Sequence, residues 1–475
     1  MGNFSVSLTN FGRIESAKID VSKFMVFVGE NNTGKSYVLQ LMWGIIENRS
    51  FIFKNSDSKK LENSFMSIIK SIPSSDFKEE KIKLSQEFLL TGLNSFNDSL
   101  NKNKDTLLNN IFNSTSVSIG TLGIEKNKFP TFSISYGVNE VFDEEKEELS
   151  ELITLTCYLG RKKISAYKYP LKFEKHIISR IVEQIILKAI FEDFVGFRND
   201  APLYFPASRA AFLQVYKALF GNNIREEISL EHKVSTTLKN KDYSSIIPGL
   251  TVTKAVINFM LALLSYEENP AMKKRYSDEL LFISEKLTEG KIVKTADDRL
   301  VYIPGSNIST ELPMHLTSSL VAETAPFYLF LSDKTDRQGW IVEEIETHLH
   351  PQKQLQLVRL LFKLIHKGKF IWITTHSDSV AQQINNLLLI SERYSKEIYE
   401  SLSSSEKDLI NRDEIIDLKE VALYQFMKTE NVTDIKKLTF GKYGYEIDSF
   451  NSLLDNLYDE TESIQNLVDS WRKEV

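Results

Sequence analysis

Apolar residues run without a break from Phe24 to Val28 and stop at Gly29; beyond Ser36 they recur as Val38, Leu41, Met42, Ile45 and Ile46, one face of a helix. The pattern predicts a buried strand, a turn spelled GENNTGKS and a helix. Upstream, residues 4–22 alternate apolar and polar about a Phe-Gly turn, as in an antiparallel hairpin. From 51 to 110, Lys, Ser, Asn and Glu stretches carry apolar positions such as Phe65, Ile68, Ile69 and Ile72 at helical spacing. Strand signals return over 115–142, clearest in FPTFSISYGVNEVF, before an acidic run, Asp143, Glu144, Glu145, Glu147, Glu148 and Glu151, that reads as a solvated helix face. An apolar helix is expected at about 180–196, a strand ending at Pro206 within LYFPASRAAF, and helices across 213–290. Within these, VINFMLALL at 256–264 is too short to span a bilayer. Strands follow in KIVK and RLVYIPG.

A helix opening at Thr-Ser-Ser, with Val321, Thr324, Ala325 and Tyr328 on one face, leads to a buried strand in WIVEEIETHLHP (340–351). Pro351 opens the next helix, which should bury Leu355, Val358, Leu361, Phe362 and Ile365 and close at Gly368. FIWITTHSD is a further strand. The tail, 388–475, reads as a small closing unit: a charged helical piece, a strand pair over 421–438 and an amphipathic terminal helix with Phe450, Leu453, Leu454 and Leu457.

The chain has 475 residues, enough for two or three domains. No secretory leader and no membrane-length apolar run stand in it, so a cytoplasmic location is expected. The single cysteine, Cys157, can form no internal disulfide. A net charge of −6 argues against a uniformly basic nucleic-acid wrapper. Locally the balance reverses: residues 161–180, RKKISAYKYPLKFEKHIISR, hold seven Lys or Arg against one Glu, interleaved with Tyr167, Tyr169 and Phe173. Such a stripe either tracks a nucleic-acid backbone or is a solvated or partner-docking face.

Chemistry enters at the GENNTGKS turn, which fits G-x-x-x-x-G-K-[ST]. Backbone N–H groups from Gly29 through Asn31, Asn32, Thr33 and Gly34 to Ser36 and Tyr37 can wrap a phosphate, with the following helix aiming its positive end at the same anion. Lys35 would reach the β- and γ-phosphates and Ser36 would ligate Mg²⁺, so ATP and Mg²⁺ are the expected ligands. Two carboxylates end the strand at 340–342. Glu343 would hold the metal and Glu344 would take a proton from the attacking water; a solvated acidic loop is the alternative. His376, at the tip of the next strand, can hydrogen-bond a γ-phosphate. The helix start at Ser318 and Ser319 either meets a phosphate held by another subunit or is simply capped. Arg209, just past a strand end, is a candidate phosphate or subunit-interface contact, against an ordinary helix-opening arginine.

This order of motifs resembles the ABC-type ATPase module of the OLD (overcoming lysogenization defect) family, a module shared with SMC and Rad50 proteins and with ATPase subunits of anti-phage systems such as Septu and PARIS. The resemblance covers about 1–50 and 300–390 plus the PASR segment. It implies an α/β, P-loop ATPase head with a mixed sheet and a large inserted, mostly helical lobe, and ATP sandwiched between two heads. Gly29, Gly34, Lys35 and Ser36 would be Walker A, Ser318 and Ser319 the signature, Glu343 and Glu344 Walker B, and His376 the switch histidine. Leu320 stands where the signature has glycine, and Ile345 where proline is usual, which implies slow or partner-dependent turnover. About 100 residues follow His376 without an Asp-x-Asp pair, too few for a fused Toprim nuclease.

The implied domains are head 1–50, helical insertion 51–110, head strands and basic segment 111–212, helical insertion 213–290, head 291–390 and closing unit 391–475. The implied function is a nucleotide-gated sensor in bacterial anti-phage defence. It would act as a homo-oligomer, at least a dimer, on a separate effector such as a nuclease, without a membrane and with possible nucleic-acid contact through 161–180. A DNA-repair or DNA-clamp ATPase is the alternative, disfavoured because neither insertion shows a sustained heptad repeat. A transporter motor fits least.

Overall fold

A computed structural model describes residues 4–56, 59–70, 81–143, 148–160, 162–170, 175–191, 201–230, 252–295, 297, 299–305, 310–394, 396–401, 403, 411–447 and 459–465. Its strands begin with the expected hairpin, β1 (Phe4–Phe11) and β2 (Ile14–Val21), paired antiparallel with Phe4 opposite Val21. The chain then enters β3 (Phe24–Gly29), every residue of which is buried.

β3 lies inside a six-stranded mixed sheet. With β9 (Leu203–Phe205), β13 (Gly339–Val342), β14 (Phe370–Thr375), β15 (Val421–Thr429) and β16 (Val432–Lys437), the order is β16-β15-β3-β14-β13-β9. All neighbours run parallel except β16, which closes the edge antiparallel to β15. Both faces are covered, which is why β3 reads as a continuous apolar run. Alternate residues serve opposite cores: Met25 and Phe27 pack with the hairpin and the helix Lys35–Glu47, while Phe24, Val26 and Val28 pack with the helices on the other face.

On the first face lie the helices Arg49–Lys54, Lys59–Lys70, Gln86–Lys102 and Lys104–Phe112. They share one core with the hairpin rather than standing apart. Contact is close at Gly44, where a β-carbon would come 2.2 Å from Ile111 Cδ1. β4 (Lys81–Lys83) interrupts the helices and β5 (Leu122–Glu125) follows them, pairing with β1.

β6 (Phe132–Asp143), β7 (Glu148–Leu159) and β8 (Lys162–Pro170) form with β4 a separate antiparallel sheet. Here the acidic run departs from expectation. Its described members lie in paired strands, with Asp143 opposite Glu148 and Glu140 opposite Glu151, not on a helix face; Glu144, Glu145 and Glu147 fall outside the described residues. The two-residue alternation of ELSELITLTCYL carries the strand through the charges. The described part of the basic run divides between β8 and the helix Lys175–Phe191, which includes the described part of the helix expected at about 180–196. Arg161, Lys172 and Phe173 lie outside the described residues.

The second face holds Arg209–Leu230, Lys254–Leu264 and shorter helices up to residue 287. VINFMLALL is buried there against β9 as core. β10 (Gly290–Lys294), β11 (Leu300–Pro304) and β12 (Leu312–Pro313) form a small sheet ahead of the helix Ser319–Ser332. The helix Pro351–His366 ends as expected, with Gly368 at φ 99°, although Leu355 is only half-buried. The tail's strand pair is part of the main sheet: β15 lies beside β3 with Phe426 aligned to Gly29. The stretch from Phe450 to Leu457 falls outside the described residues. Among the described residues no helix is long and apolar enough to cross a membrane.

Candidate nucleotide site

Because β3, β14 and β13 are parallel neighbours, their carboxyl ends open at one edge of the sheet. Gly29, Glu343 and His376 therefore meet from three distant parts of the chain. Gly29 leaves β3 at φ 141°, and a β-carbon on it would come 2.3 Å from the carbonyl oxygen of Phe426 on β15. Asn32 and Gly34 also take positive φ, 62° and 91°, curling the loop. Gly34 precedes the helix Lys35–Glu47 without a side-chain cap, so the first-turn N–H groups of Lys35, Ser36 and Tyr37 keep no intrahelical acceptor. Thr33 ties the loop to itself, its hydroxyl donating to the Glu30 carbonyl at 2.8 Å; Asn31 is exposed.

The buried Lys35 ammonium donates to the carbonyls of Gly29 at 2.8 Å and Glu30 at 2.6 Å. Burial pushes its pKa down, against the opposing pull of Glu344, Glu346 and Glu30. Tyr37 is 53% exposed, with its ring stacked on Phe112 at 5.3 Å.

Glu343 is buried and held at both oxygens. Oε1 accepts from Gln40 Nε2 at 3.0 Å and from the Tyr204 hydroxyl; Oε2 accepts from the Ala207 N–H at 3.1 Å. Burial, and the carboxylate beside it, push the Tyr204 hydroxyl well up, so it remains a donor. Gln40 stands one turn after Ser36 on the same helix face, so this carboxylate lies under the loop.

The backbone turns at Glu344, φ 41°, its N–H donating to Thr374 Oγ1 at 2.9 Å and its side chain half-buried. His376 pairs with Glu346: one Glu346 oxygen accepts the backbone N–H of His376 at 2.6 Å and lies 3.1 Å from its Nδ1. Glu346 Oε2 is buried without a partner.

Ser318 and Ser319 are exposed at the start of their helix, where Ser318 Oγ accepts from the Val321 N–H at 3.4 Å. Arg209 is placed otherwise than expected. Its side chain is 0% exposed and ion-paired with Glu323, which leaves it no phosphate or subunit to touch. Glu346, Glu323, Gln40 and Tyr204 were not singled out in the sequence. The repeat of glutamate in E-E-I-E was the one visible signal, and it pointed to Glu346.

A model of the AAA ATPase domain matches residues 4–381. The chain belongs to the AAA ATPase domain family. Solved structures similar to this AAA ATPase include a Smc head bound to the C-winged helix domain of ScpA (11% identity, 92% of this chain and 98% of that one covered, TM-score 0.37). Others are a Smc head with an extended coiled coil bound to the C-terminal domain of ScpA from Pyrococcus furiosus (11%, 97% and 98%, 0.32) and the SMC head domain from Thermotoga maritima (11%, 92% and 100%, 0.32). No curated protein matches the chain.

Proposed function

We propose that this ATPase binds ATP with Mg²⁺ at the edge formed by Gly29–Tyr37, Glu343, Glu344 and His376, and hydrolyses it slowly as a nucleotide-gated switch. The observation that carries the reading is the convergence of a lysine-bearing phosphate loop with Glu343, Glu344 and His376 at the ends of three parallel strands. The loop fits a polyphosphate: Gly29 excludes any side chain, and the unbonded first-turn N–H groups supply donors for an anion.

Lys35 would neutralise phosphate charge. Ser36 and Glu343 would hold Mg²⁺, which when bound draws charge from the phosphate oxygens. Glu343 is already fixed by three donors, so it would orient metal-bound water without moving. Glu344, half-buried, would accept the proton of the attacking water. His376, tied through Nδ1 to Glu346, would present its other nitrogen to the γ-phosphate.

ATP hydrolysis by the purified chain and by Glu344→Gln, with molecular mass measured with and without ATP, tests this. Glu344→Gln should bind ATP, lose at least about 100-fold in turnover and stay assembled. Hydrolysis at the wild-type rate by Glu344→Gln would remove that residue from the mechanism.

The finer assignment, a sensor in anti-phage defence that governs a separate effector such as a nuclease, is supported by the motif order shared with OLD-type ATPases. It calls for a plating assay: cells carrying this gene and its neighbouring reading frames should resist phage, and Lys35→Ala should abolish resistance. Equal plating with and without the genes would sink the defence role.

A further inference from the structure

Arg209 is a fully buried cation whose donors are almost all directed at one short stretch of backbone. Nη1 donates to the Glu343 carbonyl at 2.9 Å and the Glu344 carbonyl at 3.4 Å; Nη2 donates to the carbonyls of Glu344 and Ile345, both at 3.4 Å. Nε lies 2.8 Å from Glu323 Oε2 and donates to the Glu323 carbonyl at 3.3 Å. Three consecutive carbonyls facing one point repel each other, and this turn puts Glu344 at φ 41°, which a side-chain-bearing residue seldom adopts. A planar guanidinium opposite them offsets that repulsion and fixes their direction.

The other end of the contact lies on a helix. Glu323 sits a little over one turn inside the helix whose exposed start is Ser318 and Ser319, so displacement of that start along its axis displaces Glu323. Neither charge can be left behind, because both are 0% exposed and an unpaired buried ion is strongly disfavoured. Glu323 also reaches the surface: Oε1 lies 2.9 Å from Nδ1 of His348, whose side chain is 62% exposed on the loop just past the Glu344 turn.

We infer that Arg209 and Glu323 form a buried strut that couples the Ser318–Ser319 helix start, and through Glu323 the surface residue His348, to the backbone that aims Glu344. Arg209 and Glu323 are thus positioning residues for hydrolysis and take no part in binding the nucleotide. The inference rests on the ATPase reading of the site.

The test is single-turnover ATP hydrolysis with the full chain in excess, beside equilibrium ATP binding and melting, for wild type, Arg209→Lys, Glu323→Gln and His348→Ala. Arg209→Lys and Glu323→Gln should slow hydrolysis about ten-fold or more while ATP affinity stays within about two-fold. His348→Ala should slow it about three-fold, and add nothing on the Glu323→Gln background, because it acts through that residue. Loss of affinity and rate together, or rates equal to wild type, overturns the strut. Should the two buried variants fail to fold, the exposed His348→Ala decides alone, and an unchanged rate overturns the inference. A wild type that binds no ATP overturns the ATPase reading itself; a wild type that hydrolyses ATP beside variants that match it overturns the strut only.

Discussion

Gly29 shows how little freedom single positions of the loop have. Its φ of 141° and the Phe426 carbonyl 2.3 Å from any β-carbon mean that Gly29→Ala must push two paired strands apart or rebuild the loop. We expect a loss of roughly 1–3 kcal/mol in unfolding free energy by denaturant titration, with ATP binding lost as well. Lys35 allows a sharper measurement. Burial lowers its pKa beneath the ordinary 10.5, so as pH rises the ammonium is lost earlier than in a free lysine. Affinity for ATP, set partly by that charge, should therefore fall on the alkaline side before pH 10.5, and Lys35→Met, already weak, should show no such fall. A flat wild-type titration would detach Lys35 from the phosphates. Both residues were legible in the sequence, since a glycine-bounded turn followed by lysine is dictated locally. Glu323 and Glu346 were not. Each owes its meaning to a residue far along the chain, Arg209 for one and His376 for the other, and spacing does not reveal such pairs.

Elements were legible where period and burial agree. β3 and β14 read directly because both faces of the sheet are covered, and the hairpin of β1 and β2 read from its alternation. The acidic run failed because charge was given more weight than the two-residue period beneath it. The tail's strand pair was seen, but its place was not: parallel pairing with β3 joins residues about 400 apart, and no local pattern encodes it. That placement has a consequence for stability. β15 supplies one hydrogen-bonded neighbour of the phosphate-loop strand, and its Val421 and Leu423 belong to the second core while Ala422 and Tyr424 belong to the first. A chain ending before residue 411 would expose a long apolar edge on β3. It should lose its cooperative melt and its ATP binding, measured by circular dichroism and equilibrium binding. A truncated chain that melts normally and binds ATP would show that β15 is dispensable to the head.

At the scale of the molecule, the loop and the Ser318–Ser319 helix start are two exposed features of one chain, and the sandwich reading requires them to serve different nucleotides. If two copies face each other, the serines of one copy meet the phosphate held by the loop of the other, so assembly needs ATP and binding does not need assembly. Leu320, half-buried where a glycine would allow closer approach, would keep that contact loose, as the proposed slow turnover requires. The two requirements separate in a variant. Ser319→Arg, made in the Glu344→Gln background, places a long side chain on an exposed helix start and leaves the Ser318 cap, the phosphate loop and both cores as they are. It should bind ATP as Glu344→Gln does, yet remain a monomer by light scattering at ATP concentrations that assemble Glu344→Gln. Assembly that persists in Ser319→Arg would place the contact between copies elsewhere on the surface. A loss of ATP binding together with assembly would mean that the serines serve the nucleotide of their own chain.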